Sequence, residues 1–581
     1  MEERAFSLLK EPWICVIKED GGPAKLSLTE VLTQSHQIRD LAGESKTQDS
    51  AMLRLLLAVI HAVFSRVNEQ GVAEEVKTVR EALRRWAALW DLGEFPQEPI
   101  QNYFAQWQER FWLFHPERPF YQIPELQGTT NPAKKLNGAL VESSHKTQLF
   151  SLWNGERKNR LTYDEAARWL VFLQGFGDTA AKRPSPKLSW LGSIGLIVAK
   201  GESLFETLML NLVLWKDGTE RWEEGVPPWE EELPKEKLRE ISIPYNQAAL
   251  LTVQCRRVLL QREDAWVTSY VEAAGDYFPK ENAFCEQMTL WDGIKERGQI
   301  IGYRPRAHQP SRQMWRDFSV LMGQDVRKPG IVAWIGLLKA RKKLAKSKMI
   351  SFQISGVKYG NMYCGIVDEF SDQLQMYSGL LDELGHKWQN TISDEVGLCD
   401  QLAKTVGKLA YKVDRAMGGD GKTAASRAQE QCYYRLDIPF RQWLLAIDPD
   451  ANLQDQQEMR RAWRNQAKTI AQGLGRELVD QGGTAALIGR EVTEKIKTRE
   501  ETHYYCAPKA FNQFLYELKQ TSVYKGYKQD KIEMRGDRAE MSDFPLYLNT
   551  VAGGLDRRDQ TIGGFSFVVK IYAVPVVEII G

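Results

Sequence analysis

Between residues 386 and 520, apolar side chains recur at the three- and four-residue spacing of an α-helix. Leu402, Val406, Leu409 and Val413 form one stripe. Met459, Trp463, Ala467, Ile470, Leu474 and Leu478 form another, at spacings 4, 4, 3, 4 and 4. A stripe of this kind must be buried against other elements. With helical segments at about 424–446 and 506–519, the pattern predicts a C-terminal four-helix bundle.

Upstream the periodicity is mixed. Residues 5–17 read as a strand broken at Glu11-Pro12. Asp49–Val67 reads as a helix through Leu53, Leu56, Leu57, Ile60 and Phe64, and 73–92 as another through Val76, Val79, Leu83 and Trp86. From about 115 to 380, β-prone runs (Ile194–Val198, Val267–Val271, Met349–Ile354) alternate with short helices and Pro/Gly turns. The expected fold class is α+β: a large irregular mixed α/β N-terminal domain over 1–385, the bundle over 386–520, and an extension over 521–581. In that extension Gly564–Ile580 reads as a strand pair around Pro575. A length of 581 residues suits about two to four domains.

Hydrophobic residues at 43% and charged residues at 26% exclude wholesale disorder. Seven cysteines without a CxxC pair exclude a zinc ribbon. The N-terminus lacks a signal-peptide profile. The apolar run Leu55–Phe64 is shorter than the ~20 residues that span a bilayer. The expectation is a cytoplasmic chain with no membrane partner.

Catalytic motifs fail one by one. Gly421-Lys422-Thr423 invites a phosphate-loop reading, but Ala416 stands where such a loop needs Gly, and a helix rather than a strand precedes it. An interhelical turn is the better reading. Gly473-Leu-Gly475 lacks the third glycine of a dinucleotide fingerprint. His36, His61, His115, His145, His308, His386 and His503 form no metal-ligand pair, and His61 reads as a core histidine. The acidic stretch Glu220–Glu240 reads as a solvated loop. The chain is expected not to be an enzyme, and no cofactor or metal is called for.

A net charge of +1 excludes a simple polycation yet hides segregation. The 42 residues between Asp325 and Asp368 hold no acid and carry Arg327, Lys328, Lys339, Arg341, Lys342, Lys343, Lys346, Lys348 and Lys358. Trp334, Phe352, Tyr359 and Tyr363 interleave with them. Residues 179–201 and 297–316 are also acid-free and basic. Lys404, Lys408 and Lys412 line one helix, and Arg460, Arg464 and Lys468 another. Such faces suit a phosphate backbone, whose condensed counterions each Lys or Arg releases. The alternative is a solvated helix face.

Several segments then resemble one family. They are Phe6-Ser-Leu-Leu-Lys-Glu-Pro-Trp-Ile14, Ile38-Arg-Asp-Leu-Ala42, Leu53-Arg-Leu-Leu-Leu57 and Leu204-Phe-Glu-Thr-Leu-Met-Leu-Asn-Leu212. Further along come Val357-Lys-Tyr-Gly-Asn361, Ile366-Val-Asp-Glu369, Arg435-Leu-Asp-Ile-Pro-Phe440, Gly475-Arg-Glu-Leu478 and Ala507-Pro-Lys-Ala510. Their order over about residues 5–520 resembles the CasA family, the large subunits of the type I-E CRISPR surveillance complex Cascade.

The resemblance implies a non-catalytic subunit that docks near the 5′ handle of the guide crRNA and reads the protospacer-adjacent motif (PAM) on duplex DNA. It also implies that such a subunit starts strand separation for the R-loop and helps recruit the Cas helicase-nuclease. Implied partners are target double-stranded DNA, the crRNA handle, the backbone, handle-binding and small subunits, and that nuclease.

Residue by residue, the handle and DNA loop maps to Lys146, Thr147, Leu149 and Phe150. A minor-groove lysine maps to Lys280. A wedge loop maps to Gly360, Asn361, Met362, Tyr363 and Cys364. Where the family's wedge tip holds Gln, this chain has Tyr363 or Met362. The family's glycine-rich loop is replaced by Asp178–Lys187, carrying Lys182 and Arg183. Tyr359-Gly360-Asn361 is also plain turn chemistry. Two alternatives stand beside this reading. One is an assembly or RNA-binding subunit without DNA reading, and the other a nucleotide hydrolase using Gly421-Lys422-Thr423.

Overall fold

In the computed structural model, the apolar run near the N-terminus becomes the helix Lys46–Phe64, started by Ser45, whose side chain accepts from the Gln48 amide. Nearly every side chain along it is buried. Burial of each Leu, Ile or Phe contributes roughly 1.5–3 kcal/mol, so this helix organises the core. The structure describes residues 4–521, apart from 139–152, 179–187, 218, 233, 235–237, 325, 346, 361–364, 382–384 and 497–498. The strand pair expected at 564–580 lies outside them.

Two further helices, Tyr163–Phe176 and Gln247–Leu251, pack on this core helix. Thr162 and Glu165 form a capping box that starts the first of them. Around the helices lie small sheets. One is antiparallel in the order Ile366–Tyr377, Met349–Tyr359, Leu196–Lys200. Its central strand pairs Phe352 with Leu374 on one side and Ala199 on the other. Ile350, Phe352 and Ile354 face the core, with the period of two that a strand imposes. A second sheet runs Thr129–Pro132, Trp266–Ala274, Arg256–Glu263. The fold is therefore α+β, as expected; two of the three β-prone runs lie wholly in strands, and the run Ile194–Val198 enters its strand at Leu196.

The helix expected over 73–92 begins only at Val79, because Thr78 and Glu81 close a capping box there. The acidic stretch departs from expectation. Glu230 accepts from Arg66 at 3.0 Å and from the Tyr103 hydroxyl at 2.5 Å, and Trp229 is buried. Part of this supposed solvated loop is core.

The C-terminal helices are His386–Met417, Lys422–Leu445, Leu453–Gln481 and Ala507–Gln520, and the first packs on the other three. Leu402, Val406, Leu409, Val413, Trp463, Ala467, Leu474 and Phe514 are buried, so the stripes face inward. The first helix ends at Gly418 in the left-handed region, φ +101°. An antiparallel hairpin, Arg490–Ile496 with Arg499–Tyr505, is inserted before the last helix. Its sequence carries too many charges to show an apolar face, which is why the periodicity did not reveal it.

The bundle packs directly on the region that precedes it. Trp315 stacks on Phe440 at 4.4 Å and donates Nε1–H to Asp437 at 2.8 Å. Arg441 forks onto Asp372 with two bonds of 2.9 Å. Residues 1–522 form one compact unit.

Candidate nucleic-acid interface

The helix Tyr163–Phe176 and its C-terminal end meet the described residues that flank three of the loop elements singled out in the sequence. Gly138, the last described residue before 139–152, sits against Trp169 and Phe172 with no room for a Cβ. Beyond the C-terminal end, the Ser189 amide donates to Gly177 O at 2.9 Å and the Ser189 hydroxyl to Leu173 O at 3.1 Å. These bonds close the neck of the segment 178–188. The Tyr359 hydroxyl donates to Phe176 O at 2.7 Å. Gly192 permits that approach, since a Cβ there would lie 2.1 Å from the Tyr359 oxygen. The Gly365 amide donates to Asp178 Oδ2 at 2.6 Å, and Gly360 N–H to Gly365 O at 2.9 Å. The hairpin that carries 361–364 is thereby bolted to the base of the segment that carries Lys182 and Arg183.

Lys280 joins the group through aromatic packing. Phe278 lies 4.3 Å from Trp190, just past the neck. The Trp190 Nε1–H donates to Glu286 at 2.7 Å, and Arg54 forks onto the same buried carboxylate with bonds of 3.0 Å. Pro279 and Lys280 then run out into solvent.

Beneath the loop bases lies a buried polar group that the sequence reading missed. The Arg256 side chain is fully buried. It donates to Gly177 O at 3.1 Å, to Asp178 O, and to Cys255 O at 2.8 Å. The first two carbonyls directly follow the C-terminal end of Tyr163–Phe176, where a guanidinium is favoured. Glu272 lies 3.5 Å from Arg256 and 3.7 Å from Lys135. Burial pushes the Glu272 carboxyl above its ordinary range, and Lys135 and Arg256 oppose the shift. The one signal in the sequence was Arg256-Arg257 wedged between apolar runs.

Of the sequence-derived site residues, Lys280 and Gly360 fall in this cluster. Lys146, Thr147, Leu149, Phe150, Lys182, Arg183, Asn361, Met362, Tyr363 and Cys364 lie outside the described residues, as does Lys346.

The basic faces need correction. Arg460 donates to Glu395 at 2.5 Å and to Asp394 at 2.9 Å, and Arg464 donates to Glu395 at 2.9 Å. Glu395 is completely buried, so these arginines serve the packing of two bundle helices rather than a phosphate backbone. Lys408 pairs with Glu517 at 3.0 Å, and Lys412 donates to Gln513. Lys404 is exposed with no ion-pair partner among the described residues, and Lys468 is half-buried.

The acid-free stretch thins out likewise. Lys339 is buried, Lys348 pairs with Glu202 and Glu206 at 3.0 and 2.7 Å, and Arg327 pairs with Asp217. Arg306 and Arg312 share Asp317 at 2.8 and 2.9 Å. Among the described residues of 326–367, the basic side chains that stay exposed are the turn Arg341-Lys342-Lys343, with Lys342 at φ +55°, and Lys358 on the hairpin.

Gly421-Lys422-Thr423 starts a bundle helix. Asp414 accepts from the Gly421 amide at 2.8 Å and Asp420 from the Thr423 amide at 3.2 Å. Carboxylates thus occupy the amides that a phosphate would need. His61 is buried and desolvation pushes its imidazole down to about 3, so it stays neutral in the core.

The family described as CRISPR-associated protein Cse1 matches residues 7–474. The chain is 26% identical over 484 residues to the CRISPR-associated protein CasA/Cse1 of Thermus thermophilus, a match that spans 77% of this chain and 88% of that protein. The crystal structure of Thermobifida fusca Cse1 is similar at a TM-score of 0.74 and 28% identity, covering 89% of this chain and 98% of that one. A chain from a structure described as a CRISPR RNA-guided surveillance complex shares the fold at a TM-score of 0.62 and 18% identity, covering 82% and 99%.

Proposed function

The chain belongs to the CRISPR-associated Cse1 (CasA) family, and from that premise we propose that it is the non-catalytic large subunit of a type I-E Cascade complex. In this reading it recognises the PAM in duplex DNA, begins strand separation and helps recruit the helicase-nuclease. The observation that carries the proposal is that the described residues flanking 139–152, 179–187 and 361–364 meet at the helix Tyr163–Phe176 and its C-terminal end, with Lys280 reached through Phe278 and Trp190.

The physical work divides among those elements. Lys280 enters the minor groove, whose potential and width it senses without reading a full base code. Lys182 and Arg183 add positive charge beside it. The tip Met362-Tyr363 enters the base stack, where unstacking costs a few kcal/mol per step. A wedge can meet that cost only if its base is held, and the bonds from Tyr359 and Gly365 hold it. Once one step is open, guide pairing replaces target pairing in a nearly balanced exchange, so small protein contributions decide whether the R-loop grows. The residues around Lys146 and Phe150 meet the crRNA handle. Lys404 and the turn Arg341-Lys342-Lys343 remain to hold the displaced strand.

The test is target-duplex binding and opening by the guide-loaded complex, with and without this chain, on DNA with a correct or a scrambled motif. Motif-dependent opening only when the chain is present supports the proposal. Identical behaviour with and without it would leave a scaffold subunit.

A further inference from the structure

On the far side of Arg256, a cavity of about 270 Å³ opens between the segment Arg118–Ile123, the turn Pro228–Glu232 and Arg239. One wall is aromatic. Phe120 and Tyr121 stack at 4.1 Å and 13°, and Trp229 lies 6.4 Å from each at 25–26°. Tyr121 holds this place with φ +56°, a left-handed backbone that a bulky residue seldom adopts. Strain of this kind persists where the surroundings enforce it, often at binding sites.

The rest of the lining carries arginines, with Glu231, Glu232 and Asp276 among them. Arg110 is buried and one of its Nη groups donates to Glu231 O at 2.9 Å. Its other N–H groups have no partner among the described residues. Arg118 lines the same cavity, and its carboxylate partner is Glu232 at 3.7 Å, itself 86% exposed. The two guanidinium groups repel each other, and burial and Arg118 together hold Arg110 below the ordinary arginine range. Asp276 does not compensate them. It is taken by Arg239 at 2.9 and 3.0 Å and by Arg257 at 2.6 Å.

We propose that this cavity binds a nucleoside monophosphate unit, with its base against Phe120, Tyr121 and Trp229 and its phosphate between Arg110 and Arg118. Guanidinium forks match phosphate oxygens in pairs, and a flat ring gains from aromatic faces whatever the base. The volume falls just under the roughly 300 Å³ at which small-molecule pockets begin, so it leaves room for at most one nucleotide. The unit is either a free nucleotide or the 5′-phosphorylated end of a strand. The cavity shares Arg256 with the base of the loop cluster but takes in none of the loop residues assigned to DNA or crRNA, so failure of the PAM reading leaves it untouched.

The test is calorimetry and tryptophan fluorescence on the full chain with 5′-AMP, adenosine, and a tetranucleotide with or without a 5′-phosphate. AMP is expected to bind saturably and at least tenfold more tightly than adenosine, and Arg118→Glu to weaken it at least tenfold. Because Arg110 also holds the Glu231 carbonyl, Arg110→Ala is scored only alongside thermal unfolding. The exposed Arg118→Glu carries the test if the first variant unfolds. Tighter binding of the phosphorylated tetranucleotide than of AMP assigns the site to a strand end, and the reverse assigns it to a free nucleotide. No saturable AMP binding, equal binding of adenosine and AMP, or unchanged binding in Arg118→Glu would overturn the proposal.

Discussion

The loop cluster at the end of Tyr163–Phe176 and the arginine stripe of the bundle both turn guanidinium groups inward, to opposite effect. At the cluster, Arg256 turns inward onto backbone carbonyls, and Lys280 is left facing solvent. In the bundle, Arg460 and Arg464 close on Glu395, and little of their charge is left for a ligand. A cation held by a buried carboxylate of its own chain has little charge left for nucleic acid. Counting charges along a sequence cannot separate the two cases, because the neutralising acids come from far away. Glu202 and Glu206 meet Lys348, and Asp217 meets Arg327.

This contrast can be broken or sharpened experimentally. Glu395→Ala should have the largest effect, costing ~3–5 kcal/mol in a denaturant titration, because it strands two arginines. A loss below ~1 kcal/mol would mean that Arg460 and Arg464 are free after all. Arg256→Met should cost ~3 kcal/mol by leaving Glu272 buried and underpaired. It should also reduce target opening by the loaded complex, and full opening in a stable variant would show that the loop bases need no such support.

Tyr363→Ala is expected to lower target opening about tenfold, a barrier change of ~1.4 kcal/mol, with non-specific duplex binding unchanged. Parallel losses in both assays would remove the wedge role. Tyr359→Phe deletes the bond to Phe176 O and should cost ~1 kcal/mol, with opening reduced less than in Tyr363→Ala. The smallest effect concerns salt. Lys280→Ala should reduce the slope of log K against log salt by about 0.9 for each phosphate it no longer neutralises. Arg341, Lys342 and Lys343 changed to Glu should flatten it further, whereas Arg460→Gln should leave it unaltered. A shift with Arg460→Gln would return the bundle stripe to the interface.

Much of the architecture is legible in the order of the residues. The stripes through Leu402–Val413 and Met459–Leu478 fall inside the bundle helices His386–Met417 and Leu453–Gln481 and stop within a few residues of their C-terminal ends. The hairpin Arg490–Tyr505 was not legible, since alternating charges mask a strand pair. The loop cluster was legible only as scattered positions, through family resemblance. Nothing in the sequence says that Tyr359 reaches Phe176 or that Gly365 reaches Asp178.

By itself, the sequence determined which segments are helices or strands and which faces they bury. Those properties depend on residues within one or two turns of each other, so periodicity and capping record them locally. Only the tertiary structure decided which charges stay free, which glycines allow close approach and which loops share an anchor. Those outcomes depend on contacts across tens to hundreds of residues, where Coulomb attraction and desolvation act through space and not along the chain.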